Sequence, residues 1–358
     1  MIRFHADMIK AETDLPPDRA PDFTNLLKIL RKEKPSRPTL FEFILDKFVI
    51  VHLTRHIEYD ANTSLIKMKR IIDAYRIAGY DYATMGSANY ALKSNKQRRD
   101  GTSSTSLNDD PTITDRKSFA QYPWAEPDDV DYNWLDDLAE YLPDGMKLMV
   151  HAPDGLFETV LKLVGHENLC YMLADDPELV EALFAAVGKR YLRYYERCAQ
   201  YEAVGVLMQD DDWGFNTQTF LSVNDMRKYV IPWHIKFAET AHKAGKPIVL
   251  HSCGNIARLM DDVIDTIKYD GKHSYEDNIM PVEEAYDKYQ GKIAILGGID
   301  VDYLCRSTPE QIYYRSCAML DRAKEKGGYA LGSGNSIPYY VPLQNYLAMN
   351  AAALMNRL

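Results

Sequence analysis

The sequence predicts an α/β fold, a single (β/α)8 TIM-type barrel, on three observations. Short apolar, β-prone runs alternate with amphipathic helical stretches along the chain, and buried strands alternating with helices call for a parallel sheet. Chemically versatile side chains recur just past the C-terminal ends of those runs, the face on which such barrels carry their active sites. No first strand carries a glycine-rich phosphate turn, which disfavours the alternative of an open, doubly wound sheet.

The elements follow in order. Residues 1–35 read as an N-terminal helical extension of one domain spanning 1–358, and an eighth strand is placed within Phe41 to Leu53. Gly79 to Met85 is the next β-prone run. The polar stretch Ser94 to Ser118 reads as a lid-like insertion over the mouth or as a solvated insertion. Met146 to Val150 ends in His151-Ala152-Pro153-Asp154-Gly155, and Val204 to Met208 ends in Gln209-Asp210-Asp211-Asp212. Pro247 to Leu250 ends in His251-Ser252-Cys253-Gly254-Asn255, and the weaker run Lys268 to Ser274 ends in Tyr275-Glu276-Asp277. Lys292 to Leu296 leads to Gly297-Gly298-Ile299-Asp300, and Gly328 to Leu331 leads to Gly332-Ser333-Gly334-Asn335-Ser336. Asp176-Pro177-Glu178 and Thr308-Pro309-Glu310 open helices, each with a capping side chain before a proline of the first turn.

Composition excludes several classes. The 358 residues are 46% hydrophobic and 26% charged, ordinary globular values, and the net charge of −10 would repel a nucleic-acid backbone. No apolar run approaches the roughly 20 residues of a membrane helix. The opening Met1-Ile2-Arg3-Phe4-His5 lacks the pattern of a signal peptide. Five widely spaced cysteines do not resemble a disulfide framework, so a reducing cytoplasm is expected. Cys170, Cys198, Cys305 and Cys317 read as small core residues.

His251-Ser252-Cys253 carries the sharpest chemical signal. Strand residues two apart point to one side, so the imidazole and the thiol converge. They can serve as two of the three protein ligands of a catalytic zinc, with Glu276 at the end of the next strand as the nearest third. The alternative is a half-buried histidine beside a core cysteine. The run Asp210-Asp211-Asp212 suits general acid–base work, cation or hydroxyl binding, or a solvated loop. Gly297-Gly298-Ile299-Asp300 allows close backbone approach to a ligand, and Gly332 to Ser336 offers backbone N–H groups to an anion. A tight turn explains either glycine pair equally well.

From about Asp175 to Leu354 the chain resembles the uroporphyrinogen decarboxylase superfamily. The resemblance rests on Asp175-Asp176-Pro177-Glu178-Leu179-Val180, Asp211-Asp212-Trp213-Gly214, Arg227-Lys228-Tyr229-Val230-Ile231-Pro232, His251-Ser252-Cys253-Gly254-Asn255, Ile295 to Asp300, and Gly332 to Pro338. The family fold is a (β/α)8 barrel. True decarboxylases carry an Arg-Gln-Ala-Gly-Arg-Tyr segment that binds substrate carboxylates, where this chain reads Phe41-Glu42-Phe43-Ile44-Leu45-Asp46-Lys47. Their catalytic aspartate also has no counterpart in Thr84-Met85-Gly86-Ser87-Ala88. The resemblance is closer to the corrinoid-dependent methyltransferase branch, whose His-x-Cys pair binds zinc. His251 and Cys253 match that pair, while Asn335 stands where a third cysteine ligand is usual.

The resemblance implies a zinc-dependent methyltransferase acting between a small methylated substrate, of methoxy-aromatic or methylamine type, and a corrinoid protein. Metal ligands are expected at His251, Cys253 and Glu276, catalytic carboxylates at Asp211, Asp212 and Asp300, and substrate contacts at His151, Asp210, Asn335 and Tyr339. A homodimer is the expected assembly. The alternatives are a porphyrinogen decarboxylase and a non-catalytic barrel that binds corrinoid or tetrapyrrole.

Overall fold

The computed structural model describes residues 3–5, 19–87, 90–95, 108 and 110–356. Among them, seven strands form one parallel sheet in sequential order. They are β1 (Tyr82–Met85), β2 (Lys147–His151), β3 (Val204–Asp210), β4 (Ile248–His251), β5 (Gly271–His273), β6 (Ala294–Leu296) and β7 (Tyr329–Ala330). Every residue of β1, β4, β5, β6 and β7 is buried. Parallel sheets covered on both faces demand such continuous burial, and β1, β4, β6 and β7 read accordingly as largely apolar runs, whereas β5 is Gly271-Lys272-His273.

Helices separate the strands, and their ends follow from local chemistry. Asp176 accepts from Leu179 N and Pro177 occupies the first turn of helix Pro177–Cys198. Thr308 and Gln311 form a reciprocal capping box at the start of helix Pro309–Ala323. The register sets the site: Asp210 lies beside His251, and His251 beside His273, across β3, β4 and β5. Three strand ends thus bring their last side chains together at one end of the sheet.

The expected eighth strand is not a strand. Lys47–Leu53 is a helix, started by Asp46, whose carboxylate accepts from Phe48 N at 2.7 Å. Its Phe48 and Val51 are exposed while Val49 and Leu53 are buried, so the apolar run has helical rather than strand alternation. The residues just before it take the position between β7 and β1. Leu40 bridges Leu331 in parallel, with Phe41 N donating to Leu331 O at 2.7 Å. On the β1 side a side chain replaces the ladder. Glu42 N donates to Tyr82 Oη at 2.7 Å, and Tyr82 Oη donates to Glu42 O at 2.8 Å. Thr84 Oγ1 adds a bond to Glu42 O at 3.3 Å, so side-chain hydroxyls make the join to β1.

Of the insertion expected over 94–118, residues 96–107 and 109 lie outside the described residues. In the N-terminal extension, Thr24–Leu30 is a helix that buries Leu26, Ile29 and Leu30, and residues 6–18 lie outside the description. Cys198 and Cys317 are buried, but Cys170 is exposed, because it falls on the outer side of helix His166–Asp175. No described helix is long and apolar enough to cross a membrane.

Replacing Tyr82 by Phe removes both bonds to Glu42 and leaves its buried N–H without that acceptor. The expected cost is about 1–3 kcal/mol, read as a lower urea midpoint with an unchanged m-value; an unaltered midpoint contradicts the hydroxyl closure.

Candidate metal centre

The geometry starts from the aspartate run after β3. Asp211 is fully buried. Its carboxylate accepts from Phe157 N (3.1 Å), Glu158 N (3.0 Å) and Trp213 Nε1 (3.0 Å), and meets His234 Nε2 at 2.9 Å. Phe157 and Glu158 lie in the first turn of helix Leu156–Val164, where free N–H groups and the helix dipole favour an anion. Gly155 is required there, since a Cβ would stand 2.1 Å from Asp211 Oδ1. Asp211, expected to be catalytic, is thus committed to the framework.

Its two neighbours face the other way. Asp210 Oδ1 is 3.8 Å and Asp212 Oδ1 3.9 Å from His251 Nε2. Cys253 Sγ is 3.4 Å from the same nitrogen, and Cys253 N donates to Asp212 Oδ1 at 2.7 Å. Among the described residues, Asp212, His251 and Cys253 each offer one ligand atom, all within 4.8 Å of one another. Nitrogen, sulfur and carboxylate oxygen are the donor set of zinc sites, and three protein ligands leave a position open for substrate. Asn335 Nδ2 donates to Cys253 Sγ at 3.1 Å. Glu276, expected as the third ligand, accepts from Gly254 N at 3.2 Å through Oε1. The structure places Asp212 beside the histidine and the cysteine.

Charge in the mouth is shifted from ordinary values. Burial, with Lys272 and His151 adding to it, pushes His251 down to about 3, so its imidazole is neutral. Burial and then the Asp212 carboxylate push the Cys253 thiol well up. Asp210 is raised far above the ordinary carboxylate range by burial, then by Asp212 and Asp211. Glu158 is raised by burial, then by Asp210 and Asp212. Lys162, which burial alone would push down, is held up by Asp154 and Glu158. Burial and mutual repulsion thus both favour the protonated forms of Asp210 and Glu158.

The remaining expected residues spread around this centre. His151 Nδ1 meets Ala152 O at 2.7 Å, and the Phe43 ring lies 5.2 Å from His151 and 4.7 Å from His251. Asp300 caps helix Val301–Arg306 through Tyr303 N and accepts from Asp277 N, both at 2.9 Å, so both its oxygens hold backbone. Tyr339 is exposed and packs edge-on against Tyr340. Tyr340, Asn335, Glu276 and Asp300 line a cleft of about 890 Å³.

Several polar residues of the site escaped the sequence reading. His273 Nδ1 lies 2.8 Å from His251 Nδ1, and His273 Nε2 lies 3.0 Å from Ser333 O. Gly297 admits this ring, for a Cβ there would stand 2.9 Å from His273 Nε2. Glu42 is buried and accepts from Ser333 Oγ at 2.7 Å and Ser333 N at 3.2 Å. Burial raises its carboxyl to about 8 against those hydrogen bonds. A lone acid between Phe41 and Phe43, and a histidine ending the strand next to His251, were the available signals.

Comparison with known proteins follows this geometry. Residues 140–354, more than half of the chain, match the family model described as uroporphyrinogen decarboxylase (URO-D). The solved structure of a methyltransferase from Methanosarcina mazei is similar with a TM-score of 0.68 and 16% identity, over 92% of this chain and 97% of that one. At that identity the likeness is one of fold. A Listeria monocytogenes protein assigned as a vitamin-B12-independent methionine synthase overlays with a TM-score of 0.49 and 12% identity, over 89% and 98% of the two chains. No curated protein matches in sequence.

Two outcomes test the framework. Asp211→Ala strands four donors, three of them buried, and should cost about 3–5 kcal/mol of unfolding free energy; a loss below about 1 kcal/mol contradicts the anchoring role. Glu42 holds its proton more tightly folded than unfolded, so stability falls as pH rises from the ordinary 4.5 to about 8 and levels above it. Urea midpoints of Glu42→Gln should therefore fall less steeply between pH 5 and pH 8 than those of the native chain; equal slopes contradict the shift.

Proposed function

Because the chain belongs to the uroporphyrinogen decarboxylase family, we propose that it is a zinc-dependent methyltransferase. The methyl group would pass between a small methylated substrate, of methoxy-aromatic or methylamine type, and a corrinoid protein. The observation that carries this reading is the meeting of Asp212, His251 and Cys253 ligand atoms within 4.8 Å at the strand ends. Zinc, when bound, supplies a Lewis acid for the methyl-bearing heteroatom.

The chain's own residues do the rest. His251 offers a neutral nitrogen, and Cys253 and Asp212 offer sulfur and oxygen. Asp210 Oδ1 lies 3.8 Å from His251 Nε2, and burial with Asp212 and Asp211 raises its carboxyl, so it would be placed to give a proton to the heteroatom as the methyl leaves. Asp154, Glu158, Asp210 and Asp212 crowd the surroundings with carboxyl groups, which would offset positive charge that develops on the substrate as it reacts. Asp212 and Cys253 are partly exposed, as access by a protein-borne cofactor requires. A thiolate ligand requires a reducing compartment, so the cytoplasm is the location this reading takes.

The family description favours a second reading, decarboxylation of a porphyrinogen. It is the weaker one, because a polycarboxylate would meet this ring of acids, and Arg37 is paired with Asp81.

Elemental analysis of protein purified without chelators should find about one zinc per chain. His251→Ala with Cys253→Ala, and Asp212→Ala alone, should weaken zinc binding by more than the ~10–100-fold that losing a supporting partner costs. All should abolish methyl transfer to cobalamin. Zinc-free native protein, with native and double variant equally active, ends the reading. Uroporphyrinogen turnover indifferent to chelators would establish the decarboxylase, and corrinoid binding without turnover a non-catalytic barrel.

A further inference from the structure

His273 lies behind His251, on the side away from Cys253 and Asp212, and its hydrogen bonds decide which nitrogen of His251 carries the proton. A carbonyl oxygen only accepts, so the 3.0 Å contact between His273 Nε2 and Ser333 O requires Nε2–H on His273. His273 is wholly buried, and a second proton would make it a cation packed against Phe41 at 5.1 Å between ring centroids. Its Nδ1 is therefore a lone pair. The 2.8 Å contact between the two Nδ1 atoms then needs a proton from the other ring, which puts it on His251 Nδ1. What remains on His251 is a lone pair at Nε2, the atom 3.4 Å from Cys253 Sγ and 3.9 Å from Asp212 Oδ1.

The chain of support runs further back. Glu42 fixes Ser333 through both its hydroxyl and its backbone N–H, which holds the carbonyl that His273 needs. Gly297 backs the His273 ring on this side, where a Cβ would lie 2.9 Å from its Nε2 and 2.2 Å from Ser333 O.

We propose that His273 is a positioning residue of the metal centre: through the Ser333–His273–His251 relay it holds His251 in the tautomer whose Nε2 binds a cation. Outer partners of this kind fix the tautomer and orientation of ligating histidines. The proposal rests on the metal reading given above, but its first test does not.

In metal-free protein labelled with 15N-histidine, long-range 1H–15N spectra should show His251 protonated at Nδ1 and His273 at Nε2. His251 protonated at Nε2 overturns the relay whatever metal the protein binds. In zinc competition titrations, His273→Leu should weaken binding about 10–100-fold. His273→Gln, whose amide can accept from His251 and donate to Ser333 O, should recover most of that loss. The visible spectrum of the cobalt(II)-substituted protein should change for His273→Leu and return for His273→Gln. Native zinc affinity in His273→Leu refutes the relay and leaves the metal centre standing. Absence of zinc binding by the native chain refutes both. Should His273→Leu fail to fold, His273→Gln and the spectra of the native chain still decide, because a loss of zinc affinity in folded His273→Gln equal to that of a ligand variant counts against the relay.

Discussion

The arrangement of the mouth depends on one buried carboxylate, that of Asp211. Side chains alternate along extended backbone, so fixing Asp211 against helix Leu156–Val164, Trp213 and His234 turns Asp210 and Asp212 towards His251. A buried polar group is tolerated only when hydrogen-bonded, and four groups meet this one. His234 belongs to helix Ile231–Lys243 and in turn meets Tyr269 Oη through Nδ1 at 2.7 Å. One carboxylate therefore ties three segments on the outside of β3 and β4. Three consecutive aspartates do three different things for this reason alone.

The same anchoring explains the electrostatic contrast at the site. Asp211 sits among donors, whereas Asp210 and Glu158 act on one another and meet Asp212, with Lys162 offsetting them. Because Asp211 accepts from the N-terminal turn of helix Leu156–Val164, it also carries Glu158 into that company. An acid-rich mouth around a neutral imidazole is thus a by-product of the framework as well as a functional property.

Much of this was legible in the sequence because buried parallel strands announce themselves. Seven apolar runs ending in polar clusters coincide with β1 to β7, including the weak run that becomes β5. The His251-Ser252-Cys253 spacing conveyed convergence through strand alternation. The eighth position was obscured because Phe48-Val49-Ile50-Val51 has strand-like composition yet helical burial, while Phe41-Glu42-Phe43 interrupts an apolar run with an acid. Which aspartate of the run would stand beside His251 was not readable. That depends on donors from residues 157, 158, 213 and 234, which no local pattern brings together. Likewise the place of His273 beside His251 comes from the register of β4 and β5, and the contact of Glu276 with the N–H of Gly254 follows from no spacing.

The join between β7 and β1 differs in kind from the rest of the sheet. Elsewhere neighbouring strands are laced by main-chain bonds, whereas at this seam the main chain is laced on the β7 side and joined to β1 by the hydroxyls of Tyr82 and Thr84. Local openings follow the least-laced part of a structure, so a swelling of the ring would begin at Tyr82. The segment that such a swelling would release carries Glu42. The structural weak point and the far end of the His251 support chain are therefore the same stretch of backbone, and breathing of the ring would be felt at the imidazole.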